Sequence, residues 1–218
     1  MSDAAPAASR TPVPHLPVAV THDQVALAPP SDWLLRWIHL LQAGQCALDL
    51  ACGRGRHARW LAGRGLQVTA LDRDAHALAS LDGAAGITTR LADLEAAPWP
   101  LADQRFDLVL VTNYLWRPLF PHLIDSVAPG GLLIYETFAL GQESVGRPSR
   151  PDFLLAPAEL LHLTLGRLQV LGFEDGWLAE GGLRRVQRIA ARRGLPAGAE
   201  PAVDWPQTVR LPAPCTVR

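Results

Sequence analysis

Lysine is missing from this chain: all 20 of its Lys+Arg residues are arginine. They stand against 21 acidic residues, for a formal net charge of -1. The bulk electrostatics therefore direct the protein neither to a nucleic-acid backbone nor to an anionic membrane. Cysteine is scarce. Cys46, Cys52 and Cys215 form no CxxC pair, and an odd count closes no disulfide framework. They read as free thiols in a reducing compartment, and no metal site is expected. No stretch approaches the roughly 18 apolar residues that a membrane helix needs. The N-terminus lacks the basic region and apolar run of a signal peptide. A cytoplasmic protein is expected, with no membrane contact.

What is present is material for a large core. Of 218 residues, 49% are hydrophobic and 19% charged, the balance of a globular chain rather than a disordered one. Residues 1–30 hold Pro6, Pro12, Pro14, Pro17, Pro29 and Pro30 and read as an extended or disordered arm. Residues 31–191 read as one folded domain. The proline-containing stretch 192–218 reads as a loose tail.

Inside the domain, strands and helices alternate. Ser31 or Asp32 caps a helix carrying Trp33, Leu34, Trp37, Ile38 and Leu41 at helical spacing. Apolar strands follow at 47–50, 67–71, 87–91, 106–111 and 132–135, with helices at 57–63, 74–81 and 118–127 between them. Pro129-Gly130-Gly131 precedes the fifth strand. Continuous apolar strands alternating with helices specify a mostly parallel sheet covered on both faces. A helix holding Leu160, Leu161 and Leu163 comes next, and the runs 168–173 and 186–190 read as an antiparallel hairpin.

In such sheets the ligand sits beyond the carboxyl ends of the strands. Polar residues fall at all five of these ends: Asp49, Asp72, Asp93, Asn113 and Glu136. Asp and Asn favour turns in any protein, but five in register with one sheet edge are better explained by a site. At the first turn, Gly53 and Gly55 let backbone approach a ligand where a Cβ would collide. Gly53-x-Gly55-x-x-Ala58 meets the loose dinucleotide pattern, with Asp72 placed for a ribose. That match alone is weak. Asp49 tips the balance, because its carboxylate would repel a diphosphate and attract an ammonium group.

These residues resemble class I S-adenosylmethionine-dependent methyltransferases over about 31–191. The resemblance rests on D-x-x-C-G-x-G from Asp49 to Gly55, on Leu71-Asp72, on Ala92-Asp93-Leu94, and on Pro129-Gly130-Gly131. It implies a Rossmann-like α/β fold, with a mostly parallel seven-stranded sheet that has helices on both faces and a C-terminal antiparallel hairpin. The implied cofactor is S-adenosylmethionine. Asp49, Gly53 and Gly55 would hold its methionine end, Asp72 the ribose, Asp93 and Leu94 the adenine, and Asn113 the floor near the sulfonium. The stretch from Cys52 to His57 also resembles the first motif of tellurite-resistance-type small-molecule methyltransferases.

The acceptor is less legible. Tyr114 and Glu136 are the candidate catalytic residues, each with a structural alternative: a packed aromatic, and a carboxylate paired to an arginine. Asn113-Tyr114-Leu115-Trp116 lacks the prolines of the NPPY motif, which argues against amide or adenine nitrogens as acceptors. Arg117, Arg147 and Arg150 are candidates for holding an anionic acceptor. His57 is a candidate substrate contact, although a first-turn helix histidine is more often a solvated or capping residue, and Trp99 reads as packing under a turn. The expected partner is a small-molecule acceptor, over which the long loop 141–157 would close. RNA or protein methylation would need a basic surface or an added recognition domain. A catalytically inactive partner protein that keeps the donor pocket, and a nicotinamide oxidoreductase, remain as alternatives. The sequence does not fix the oligomeric state.

Overall fold

The computed structural model describes residues 28–179 and 181–195. The expected N-terminal arm up to residue 27, the tail from 196 onward and Cys215 lie outside the described residues.

Seven strands form one sheet in the order β3-β2-β1-β4-β5-β7-β6. They are β1 Cys46–Leu50, β2 Gln67–Asp72, β3 Ile87–Leu91, β4 Phe106–Thr112, β5 Val127–Phe138, β6 Gln169–Leu178 and β7 Arg184–Arg192. Strands β1 to β5 are parallel to their neighbours, whereas β7 runs antiparallel to both β5 and β6. The terminal hairpin thus inserts its second strand between β5 and β6. The helices are α1 Asp32–Trp37, α2 Arg56–Ala62, α3 Ala75–Ala79, α4 Phe120–Asp125 and α5 Glu159–Thr164.

Side chains alternate across a strand, so the apolar strands feed two cores. On one face Trp33 and Leu34 of α1, Ala58 and Leu61 of α2, and Leu78 of α3 pack on Ala47, Leu108 and Ile134. On the other, Leu123 and Ile124 of α4 and Leu160 of α5 pack on Leu48, Val109 and Tyr135. Gly172 on β6 makes room for α1: a Cβ there would lie 2.5 Å from the Trp37 ring. Among the described residues no helix is long and apolar enough to cross a membrane.

The helices are shorter than their apolar patterns suggest. The first ends at Trp37 and continues as a 3-10 turn over Ile38–Leu40. The fourth begins with a 3-10 turn at Arg117–Leu119 and stops at Asp125. Strand β5 starts earlier than expected, at Val127, so Pro129-Gly130-Gly131 lies within it. The register against β4 jumps there from Phe106↔Val127 to Leu108↔Leu132. The three residues form an irregularity in the ladder, where a proline without an N–H is tolerated.

Candidate functional site

A cavity of about 440 Å³ opens at the carboxyl ends of the parallel strands, lined by Ala51, Asp72, Asp93, Leu94, Asn113 and Tyr114 among others. Four consecutive strand ends in sheet order contribute to it. Its far wall comes from β5 and the following loop, through Thr137, Phe138, Pro148 and Phe153.

The turn after β1 is built for close approach. Ala51, Gly53 and Gly55 all have positive φ. Gly55 has no room for a side chain, because an added Cβ would meet the Leu81 side chain at 2.5 Å. The Asp72 carboxylate holds this turn, accepting the Gly53 N–H at 2.7 Å through one oxygen and the Asp74 N–H at 2.9 Å through the other. Asp93 accepts the Glu95 N–H at 3.0 Å and keeps its own turn closed.

Asp49 sits at the root of the first turn, 1% exposed. Its Oδ2 accepts the Ala58 N–H at 2.9 Å, while its Oδ1 is buried without a partner. Burial pushes its carboxyl up to about 7, against the Ala58 hydrogen bond and the Arg56 charge. A buried acceptor with no donor is an expensive arrangement, and a cationic group brought to this turn would relieve it. The residues present therefore fit an amino-acid-bearing nucleoside. Glycines and a strained Ala51 admit the backbone-hugging part, an orphaned carboxylate oxygen suits an ammonium, and Asp72 and Asp93 offer acceptors beyond it.

Tyr114 lines the cavity. Burial pushes its hydroxyl up, reinforced by the charge of Glu95. Glu136 does not reach the cavity. Its neighbour Thr137 faces inward, so alternation turns Glu136 to the opposite face of the sheet. There it is 4% exposed and pairs with Arg188 of β7 at 3.4 Å, while the Ser31 hydroxyl donates to it at 3.2 Å. Arg188 also binds Asp32 at 3.0 Å and Glu174 at 2.7 Å. This buried network ties the start of α1 to the hairpin. His57 belongs to the same seam: its Nε2 accepts the Ser31 N–H at 3.2 Å. That leaves Nδ1 to donate to Thr112 Oγ1 at 3.4 Å. Burial, with the nearby Arg56 charge, pushes the imidazole down to about 3, so it stays neutral.

The three arginines are placed differently from an anion clamp. Arg117 grips Glu159 through Nε at 2.7 Å and Nη2 at 2.9 Å, and donates to the carbonyls of Asp152 and Leu154. Arg150 pairs with Asp152 at 2.9 Å and lies over the Phe153 ring. Arg147 is exposed, and none of the three lines the cavity.

Sequence reasoning missed what shapes the loop. Gln142, 3% exposed, donates to the Arg147 carbonyl and accepts the Arg185 N–H at 2.8 Å. Gln187, fully buried, donates to the Ala156 carbonyl at 2.5 Å and accepts the Leu160 N–H. The available signal was a glutamine inside the apolar run of β7.

Residues 47–131 match a family model described as a methyltransferase domain. That match spans the strand ends that build the cavity. The match marks a methyltransferase domain over less than half of the chain. Solved structures show the same fold. TehB from Haemophilus influenzae superposes with a TM-score of 0.62 at 22% identity, over 79% of this chain and 64% of that one. The chain thus spans just under two thirds of the length of TehB. A protein from Methanosarcina mazei described as an S-adenosylmethionine-dependent methyltransferase gives 0.58 at 16% identity, over 78% and 100%. The N-methyltransferase NodS from Bradyrhizobium japonicum gives 0.58 at 18%, over 74% and 92%. No curated protein matches the sequence.

Proposed function

We propose that the protein transfers a methyl group from S-adenosylmethionine to a small molecule. The carrying observation is the convergence of four strand ends, through Ala51, Asp72, Asp93 and Asn113, on one cavity that also touches a second wall from the loop after β5. S-adenosylmethionine supplies an electrophilic methyl on a sulfonium. A lone pair on the acceptor forms the new bond to the methyl carbon, the carbon–sulfur bond breaks with its pair going to sulfur, and a neutral thioether leaves. The acceptor ends one positive charge higher, or loses a proton. Positioning of this kind can supply roughly 7–11 kcal/mol of the barrier.

In this reading Asp49, with the turn of Gly53 and Gly55, takes the ammonium end. Asp72 accepts from the ribose hydroxyls, Asp93 and Leu94 hold the adenine, and Asn113 lies beside the sulfonium. Tyr114 is the residue placed to touch the acceptor. Glu136 serves as a positioning residue through Arg188 and α1 rather than as a base. The near-neutral balance of the chain and the loop wall on one side of the cavity favour a small molecule over RNA or protein.

The test is Asp72→Ala. Losing the acceptor of two ribose hydroxyls should weaken binding of S-adenosylhomocysteine by at least roughly tenfold, at about 1.5–3 kcal/mol per charged hydrogen bond. Circular dichroism should show the fold retained. Unchanged affinity would remove Asp72, and the pocket assignment with it.

A further inference from the structure

We propose that the end of the cavity between Tyr114, Phe138, Pro148 and Phe153 is the acceptor subsite, and that it takes a neutral aromatic small molecule rather than an anion. The inference rests on the donor reading above and names the substrate class for the same site.

Three observations carry it. First, rings and aliphatic surface line the cavity together: the Tyr114 ring, Leu115 and Phe138 from the strand ends, and Pro148 and Phe153 from the loop. Rings seat on such walls by offset or edge-on packing, a preference beyond simple area burial. Second, the charges that face the cavity are the wrong sign for an anion. Asp72, Asp93 and Glu95 line it against the single guanidinium of Arg73, which itself lies 3.9 Å from Glu95. An acceptor carboxylate or phosphate would enter against three carboxylates. An acceptor that becomes cationic on methylation would be stabilised by them. Third, two of the three arginines that could have reversed this balance are engaged elsewhere, and Arg147 is exposed and does not line the cavity. Arg117 is committed to Glu159 and two loop carbonyls, and Arg150 to Asp152 and the Phe153 ring. The structure uses these guanidiniums to shape the loop.

The loop that supplies Pro148 and Phe153 is held firmly enough to act as a wall. Gln142 fixes its start on β7, Arg117 fixes the stretch from Asp152 to Leu154, and Gln187 fixes its end at Ala156. Specificity then comes from the shape and charge of a preformed slot.

The experiment titrates full-length protein saturated with S-adenosylhomocysteine with three probes by calorimetry: quinoline, benzoate and inorganic phosphate. Quinoline is a neutral ring, benzoate a ring with a negative charge, and phosphate a charge without a ring. Binding of quinoline, at least tenfold tighter than benzoate and with no heat from phosphate, supports the proposal. Phe153→Ala should weaken quinoline about tenfold while leaving S-adenosylhomocysteine affinity and melting temperature near wild type. Because Phe153 sits half-buried on the loop, this variant keeps the core intact. Benzoate or phosphate binding more tightly than quinoline overturns the proposal, as does quinoline affinity unaffected by Phe153→Ala, or no quinoline binding at all to the loaded protein. If S-adenosylhomocysteine itself fails to bind, the donor reading fails first and the acceptor proposal falls with it.

Discussion

Arg188 and Glu136 form a buried pair that looks symmetric, yet the structure predicts unequal consequences for removing each partner. Both side chains are 5% exposed. Breaking a buried pair costs about 3–5 kcal/mol when it leaves an uncompensated charge. In Glu136→Gln, Arg188 keeps Asp32 at 3.0 Å and Glu174 at 2.7 Å, and loses only a long contact of 3.4 Å. That variant should lose about 1–2 kcal/mol. In Arg188→Met, Glu136 keeps only the Ser31 hydroxyl, while Asp32 and Glu174 lose a shared cation; about 3–5 kcal/mol is expected. At about 2–4 °C per kcal/mol for a domain of this size, melting temperatures should fall by about 2–8 °C and about 6–20 °C respectively. The pH response distinguishes the two variants further. Burial already holds the Glu136 carboxyl above its ordinary range, opposed mainly by Arg188. Without Arg188 it is raised further. A carboxyl that binds its proton more tightly when folded adds stability as pH falls, so acidification should restore part of the loss in Arg188→Met. Thermal melts across pH, paired with methyl-transfer assays on the folded fraction, are the assay. A Glu136→Gln variant with unchanged melting temperature and abolished turnover would refute the reasoning and return Glu136 to a catalytic role.

Two further outcomes concern the turn after β1 and the loop after β5. Burial holds the Asp49 carboxyl at about 7 in the folded protein, well above the ordinary carboxylate range, so its contribution to stability falls as pH rises through that window. An ammonium bound at the turn reverses the preference. S-adenosylhomocysteine affinity should therefore rise between about pH 5 and pH 8 with proton release, and Asp49→Asn should flatten the profile. Calorimetry in buffers of different ionisation enthalpy reads the proton directly; a flat wild-type profile would contradict the assignment. Arg117→Ala should free the loop at Asp152 and Leu154, raising the acceptor KM several-fold with donor affinity unchanged, measured by steady-state kinetics and titration.

The turns that meet at the cavity were legible because their signals are local. Asp49, Gly53 and Gly55 fall within one turn, and Asp72, Asp93 and Asn113 mark strand ends that the apolar runs define. A parallel sheet then brings those ends together without further information. Glu136 shows where that logic stops. It obeys the same strand-end rule, yet strand alternation turns it to the other face, onto Arg188, a partner 52 residues away. The arginines escaped for the same reason: the partners of Arg117, at Asp152, Leu154 and Glu159, depend on how a long loop packs. Helix lengths were overestimated where apolar spacing continued past a 3-10 turn, as at Ile38 and Leu119.

The central claim is that the strand-end cavity is a site for S-adenosylmethionine. Calorimetric titration of the purified protein with S-adenosylmethionine, S-adenosylhomocysteine and NAD in parallel tests it most directly. Saturable binding of the first two, with none of NAD, is the expected result. Binding of NAD alone, or of none of the three, would contradict it.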